Sequence, residues 1–226
     1  MSGRDAILNR LRTGLKTSEG RANRQRTVDE RLANPQRGII PARAQVDHSA
    51  QVDLFCEISE KVQSTVIRVN SETDIPGAVS DYLRSRNLPQ NLCMGADDRL
   101  ENLPWENAPN LERSKGPSDG SDAVSLAAAI GGVAESGTLI LTSGTDNPTT
   151  NNFLPETQII VIDSKDITDT YETVFDKMRG DHGKGVMPRT VNMITGPSRS
   201  GDIEQTILLG AHGPRALHII VVDGGE

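Results

Sequence analysis

The sequence predicts an α/β protein: a three-layer sandwich around a mostly parallel sheet, preceded by a basic N-terminal helical arm. Strand-like and helix-like segments alternate from residue 46 onward, the pattern of a layered α/β sheet. Residues 159–162 and 217–222 are near-continuous apolar runs, as in strands buried on both faces. Gly- and Pro-rich turns follow or precede such runs at residues 195–201 and 210–214. At 226 residues the chain is long enough for one good-sized domain with a core plus an appendage. The expected division is an arm over 1–45 and an α/β domain over 46–226.

The elements follow from local patterns. Residues 4–15 place Ile7, Leu8, Leu11 and Leu15 on one face of a helix whose other face is basic. Residues 17–43 are polar and Arg-rich without a sustained period, which reads as an extended arm with a short helix near 28–32. Val52, Phe55, Cys56, Ile58 and Val62 mark a helix over 49–63. A β-branched strand follows at 65–69, then a helix over 74–86 with Ile75, Val79, Tyr82 and Leu83 inward, then a short strand at 92–94. Residues 95–120 carry no clear period, and Trp105 within them reads as a core plug. An Ala- and Leu-rich run at 124–130 leads to a turn at Gly131 and Gly132, a strand at 138–142 and a polar loop over 143–152. Residues 167–178 form a helix with Ile167, Tyr171, Val174, Phe175 and Met178 inward. After the run at 191–194, Ile203, Ile207 and Leu208 recur at helical spacing. That predicts a short helix over 203–209, N-capped by Ser200 or Asp202 with Glu204 in its first turn.

Composition excludes several classes. The longest apolar run falls far short of the ~20 residues of a membrane span. The first twenty residues are charged throughout, unlike a secretory signal, and acidic residues interrupt them, unlike a transit peptide. Residues 1–44 hold ten Lys/Arg against four Asp/Glu, a net of +6; the remainder holds fourteen against twenty-seven, a net of −13. The arm lacks aromatic residues for base stacking and the body repels phosphates, so nucleic acid is not the expected partner. The arm is expected instead to fold on its own body or on a neighbouring copy, which is compatible with a homo-oligomer. Cys56 and Cys93 are far apart and form no C-x-x-C pair, so no zinc or redox-dithiol site is expected. Two thiolates do not supply the four that an iron–sulfur cluster usually takes. No cofactor and no metal are expected, and the low cysteine content fits a cytoplasmic protein.

The first candidate site is the turn G-P-S-R-S-G-D-I-E, residues 196–204. Backbone N–H groups of Gly196 to Asp202 at a helix start, the Arg199 guanidinium and the hydroxyls of Ser198 and Ser200 suit a phosphate or carboxylate. The same residues also suit a capped turn in which Arg199 pairs with Asp202 or Glu204. The spacing is neither that of a P-loop nor G-x-G-x-x-G. Glu135, in A-E-S-G-T, is placed to act as a base or acyl acceptor, or else to fix the turn at Gly131 and Gly132. His212, between Gly210 and Gly213-Pro214, is either an acid or base near neutral pH or a turn-stabilising residue. Strands at 191–194 and 217–222, joined by one short helix, are expected to be parallel neighbours. The turn would then line a crevice at the carboxyl end of the sheet, with Glu135 and His212 on its walls.

Four segments in order carry a resemblance: Ala134 to Thr138, Leu154-Pro155, Gly196 to Glu204 and His212 to Pro214. Together they resemble the LUD-domain family, over about residues 122–223. Ser136 and Ser200 stand where threonine is usual, which keeps the hydroxyl. The resemblance implies a fold of the NagB/RpiA/CoA-transferase type. It places Gly137 and Thr138 beside the anion-binding turn. It also implies a non-redox, accessory part in lactate utilization, in which iron–sulfur partner proteins carry the electrons of L-lactate oxidation and this chain binds a small organic acid. The A-E-S-G-T segment is similar to the Glu-Asn-Gly segment of CoA transferases, which keeps open a free-standing CoA-transferase-like or sugar-phosphate-isomerase-like enzyme using Glu135. Ser136 replaces the asparagine of that segment.

Overall fold

A computed structural model describes residues 3–15, 20–34, 36–183, 185–203 and 206–224, with the backbone alone at 21, 202, 203, 206 and 207. The chain divides into two compact units, Met1–Ile39 and Ile40–Glu226. The first holds α1 (Gly3–Gly14) and α2 (Arg21–Ala33). Ile7 and Leu11 of α1, and Leu15 just after it, are exposed. The second helix is longer than the short helix expected near 28–32. Its Ala, Arg, Gln and Leu residues are good helix formers, and Gln25–Asp29 and Arg26–Glu30 link successive turns.

The second unit runs α3 (His48–Lys61), β1 (Thr65–Val69), α4 (Ile75–Ser85), β2 (Asn91–Met94), α5 (Asp98–Glu101), β3 (Glu112–Lys115) and β4 (Val124–Ala128). It continues with β5 (Gly131–Val133), β6 (Thr138–Thr142), β7 (Thr157–Asp163), β8 (Ile167–Thr168) and α6 (Tyr171–His182). The last strands are β9 (Val191–Ile194), β10 (Arg199–Ile203), β11 (Thr206–Leu209) and β12 (Ala216–Val222). Six strands form one sheet in the order β1-β12-β7-β4-β2-β3, every neighbouring pair parallel. The α/β class with a parallel central sheet is as the sequence predicts.

Burial explains the layers. Alternate residues of β12 face opposite sides: Ile220 and Val222 join Val79, Leu83 and Trp105 on one face, while Leu217, Ile219 and Val221 join Val52 and Phe55 on the other. Trp105 is buried, donates from Nε1 to the Leu100 carbonyl at 2.8 Å, and carries Arg113 over its ring. The second face is covered by α3 together with a four-stranded sheet, β8-β5-β6-β9, whose Leu139, Leu141 and Ile167 complete that core. Outside it, Val133 and Ile140 pack on Val174 and Met178 of α6.

Three local expectations are corrected. Gly131 and Gly132 form β5, not a turn. A Cβ at Gly131 would lie 2.9 Å from Val174 Cγ1 and one at Gly132 2.8 Å from Ile162 Cδ1, so these glycines mark close packing on both sides of a strand. The helix expected over 167–178 starts at Tyr171. Ile167 and Thr168 pair with Gly132 and Val133, and Asp169 Oδ1 then accepts from the Thr170 N–H and the Thr173 hydroxyl at the helix entry. The helix expected over 203–209 is absent. Arg199–Ile203 and Thr206–Leu209 pair as an antiparallel hairpin, with Arg199 opposite Leu209 and Ser200 opposite Leu208. A seven-residue apolar pattern does not by itself separate strand from helix. Here the β-branched Ile203, Thr206 and Ile207 and the nearby Gly201 favour the strand.

Candidate functional site

The hairpin changes the physical basis of the site. With no helix at 203–209, the turn has no helix-start N–H groups and no macrodipole, so Ser200 and Asp202 are not N-caps. The side chain of Asp202 and the whole of Glu204 lie outside the described residues. Strands β9 and β12 are not parallel neighbours either: β9 pairs antiparallel with β6 in the four-stranded sheet, while β12 sits between β1 and β7 in the other.

The chain nevertheless folds the turn against the His-Gly-Pro segment. Gly196 has φ +73°, and a Cβ there would lie 2.4 Å from the Val62 carbonyl, so glycine lets the turn rest on the end of α3. The Ser198 N–H donates to the Pro214 carbonyl at 2.8 Å, and the Ser198 carbonyl accepts from the Gly210 N–H at 2.9 Å. These two bonds close residues 196–199 and 210–214 into one wall.

That wall borders a cavity of about 280 Å³. Gly196, Ser198, Arg199 and His212 line it, together with Asn152, Phe153, Gln158, Thr195 and Leu217. Gln158 and Leu217 stand near the starts of β7 and β12, so the cavity opens at the amino end of the parallel sheet, not the carboxyl end expected from topology. Arg199 has no ion pair among the described residues, and none of the described residues lining the cavity is Asp or Glu. Asn152 and Gln158 are both about 1% exposed. Gln158 Nε2 donates to Asn152 Oδ1 at 2.8 Å, and Asn152 Nδ2 has no partner among the described residues. A guanidinium, hydroxyls, an imidazole and an unspent amide donor, with no competing carboxylate among the described lining residues, suit a small acceptor-rich anion.

The other expected residues sit further off. Ser200, Glu135, Gly137 and Thr138 do not line this cavity. Thr138 reaches it at one remove: its hydroxyl lies 2.7 Å from that of Thr195, which does line the cavity, and 2.8 Å from both Ser136 Oγ and the Tyr171 hydroxyl. Gly137 turns the β5–β6 hairpin at φ +63°, with room for no more than hydrogen against the Ser59 N–H. Glu135 is buried at 8% exposure in that hairpin, its N–H donating to the Asp169 carbonyl. Sequence reasoning missed Asn152, Gln158 and Thr195. Gln158 carried a signal, since it is a polar residue at the head of an otherwise apolar strand. Asn152 lay inside a loop whose polarity looked like that of any surface turn. Among the described residues no three His, Cys, Asp or Glu side chains are grouped to hold a metal.

Residues 120–222 match the LUD domain family. The lactate utilization protein C of Geobacillus sp. strain WCH70 is 38% identical over 96 residues, covering 40% of this chain and 39% of that protein. Its counterpart in Bacillus subtilis strain 168 is 39% identical over 93 residues, again covering 40% and 39%. The alignment thus takes in about two fifths of the length of these relatives. The uncharacterized protein YkgG of Escherichia coli K12 is 27% identical over 192 residues, covering 79% of this chain and 83% of that one. A crystal structure of a DUF162 family protein from Deinococcus radiodurans superposes with a TM-score of 0.59 at 18% identity, covering 79% of this chain and 99% of that one, a likeness of fold.

Proposed function

We propose, from the premise that residues 120–222 carry a LUD domain, that this chain is a non-redox component of a lactate utilization system and binds a small organic acid in the cavity bordered by Arg199 and His212. The names of the relatives supply the setting. Oxidation of L-lactate to pyruvate releases two electrons and two protons. Cys56 and Cys93, the chain's two cysteines, do not make the usual four-thiolate cluster site, so the electrons pass to iron–sulfur partner proteins. The observation that carries the acid-binding reading is Arg199, without an ion pair among the described residues, beside Ser198 and the Asn152 amide, which has no partner among them either.

The test is calorimetric titration of the purified chain with L-lactate and with pyruvate. Saturable binding is expected. Arg199→Lys keeps the charge but loses the planar fork, and is expected to weaken binding about tenfold, the scale of one charge-assisted bond. Binding that Arg199→Lys leaves unchanged, or no binding of either acid, refutes the assignment. The reading as a free-standing transferase or isomerase has less support, because Glu135 is buried away from the cavity. Turnover of acyl-CoA or sugar phosphates by the purified chain, abolished in Glu135→Gln, would restore it.

A further inference from the structure

We infer that a second anion site, for a phosphate dianion, lies between Arg86 and Arg215 at the amino end of the parallel sheet. It does not rest on the function proposed above.

A separate cavity of about 260 Å³ opens there, lined by Arg86 after α4, Arg215 before β12, Thr65 at the start of β1, Thr157 at the start of β7, and Gln63 and Tyr82. It shares only Leu217 with the Arg199 cavity. Neither Arg86 nor Arg215 has an ion pair among the described residues, whereas Arg68, Arg84, Arg99 and Arg179 each hold a carboxylate. In a chain of net charge −7, two uncompensated guanidiniums on one cavity are a local reversal of sign.

The surroundings hold both groups in place. The Tyr82 ring stacks on His218 with centroids 3.9 Å apart and planes 6° apart, and Arg86 Cζ lies 5.8 Å from the Tyr82 centroid. The Arg215 and Ala216 N–H groups both donate to the Glu156 carbonyl, at 2.7 and 3.2 Å, which fixes the backbone that carries Arg215. Thr157 lines the same cavity at 5% exposure, which puts a hydroxyl donor on its wall beside the two guanidiniums.

Two guanidiniums match a dianion better than a monocarboxylate. Each presents a planar fork of N–H donors, and together with the Thr157 hydroxyl they offer more donors than the two oxygens of one carboxylate accept. The four oxygens of a phosphate group use them. The same chemistry belongs to free phosphate and to the head of a phosphate monoester, and the cavity has room for a short organic tail.

The experiment is a titration of the full chain with inorganic phosphate, and in parallel with glycerol 3-phosphate, at constant ionic strength, followed by phosphorus NMR. One saturable site is expected. Arg86→Met and Arg215→Met each weaken it tenfold or more, Thr157→Val about threefold, and Arg199→Met leaves it unchanged. Both arginines are exposed, so the variants should keep the parent melting temperature; Arg86→Lys and Arg215→Lys, with intermediate losses, cover a variant that does not. Tighter binding of the ester identifies a monoester site, and tighter binding of the inorganic ion identifies a free-phosphate site. Unsaturable binding, binding retained in the Arg86→Met/Arg215→Met double variant, or binding lost in Arg199→Met overturns the proposal. A failure of lactate to bind leaves it standing.

Discussion

Acid should destabilise this fold through one histidine. His218 lies in β12 at 5% exposure, stacked on Tyr82, with Nδ1 2.8 Å from the Thr65 hydroxyl. Burial, assisted by the neighbouring Arg86 charge, pushes its pKa down from 6.5 to about 4. The unfolded chain therefore takes up a proton near pH 6.5 that the folded chain refuses until about pH 4. Stability is undiminished above pH 6.5, falls as pH drops through that window, and stops falling from this cause below pH 4. At about 1.36 kcal/mol per pKa unit, the loss is roughly 2 kcal/mol at pH 5 and about 3 kcal/mol by pH 4. That is a large part of the ~5–15 kcal/mol that holds an ordinary domain folded.

Replacing His218 by Phe keeps a ring against Tyr82 and removes the titrating nitrogens. Carboxylates also titrate as pH falls, so the quantity to read is the difference between parent and variant. Urea unfolding at matched ionic strength from pH 7.5 to 4 should show His218→Phe gaining about 3 kcal/mol on the parent as pH falls. A difference that stays constant within ~1 kcal/mol over that range would show that His218 is not held neutral, and would refute the reasoning.

Three further outcomes are expected. Gly196→Ala forces a Cβ into the left-handed region and to 2.4 Å from the Val62 carbonyl, so it should lower stability by about 2 kcal/mol or more and weaken acid binding; an unchanged urea midpoint refutes the close-approach account. Burial raises the Cys56 thiol to about 11 and the Cys93 thiol to about 12, so a disulfide reagent at pH 8 should label both only after unfolding, and rapid labelling of the native chain would contradict that. Removing residues 1–44, with the exposed stripe Ile7, Leu11 and Leu15, should change solubility or the mass in solution; if mass and melting temperature both stay the same, the arm is only a tail.

What the sequence made legible is what local pattern decides. The strand expected over 138–142 forms over those residues because each of its first four positions is buried. The helix over 75–85 was equally readable, since Ile75, Val79, Tyr82 and Leu83 share one face and Pro76 suits a helix start. The 203–209 segment was not, because its fate is set by pairing with Arg199 and Ser200 across a turn, which no window centred on it contains. Of the site, Gly196, Ser198, Arg199 and His212 were singled out because a cation and an imidazole set among glycine and proline are visible in a string. Asn152 and Gln158 were not, because a buried amide looks like a surface amide until the fold removes water from it.

Which end of the sheet is open follows from where the charges are already paired. At the carboxyl ends of the strands, the usual ligand crevice of an α/β protein, Arg99 is spent on the Asp97 carboxylate and on the carbonyls of Ala128 and Ala129. Nearby, Arg68 is spent on Asp53 and Asp223, at 2.6 and 2.8 Å. A hollow of only about 20 Å³ remains between Arg99 and Asp163, and the wider cavity of about 320 Å³ at the ends of β2 and β3 carries the Glu101 carboxylate on its wall, paired with Lys115. An anion entering there would have to displace a carboxylate from each guanidinium, and a buried one in the case of Asp97, which costs more than a single new charge-assisted bond returns. At the amino ends, Arg199, Arg86 and Arg215 face two cavities with no carboxylate pairing to displace among the described residues. Reversing that balance should move binding. Thr157→Asp would set a carboxylate beside Arg86 and Arg215, and is expected to abolish phosphate binding while lactate still binds saturably in the Arg199 cavity, whose guanidinium it leaves in place.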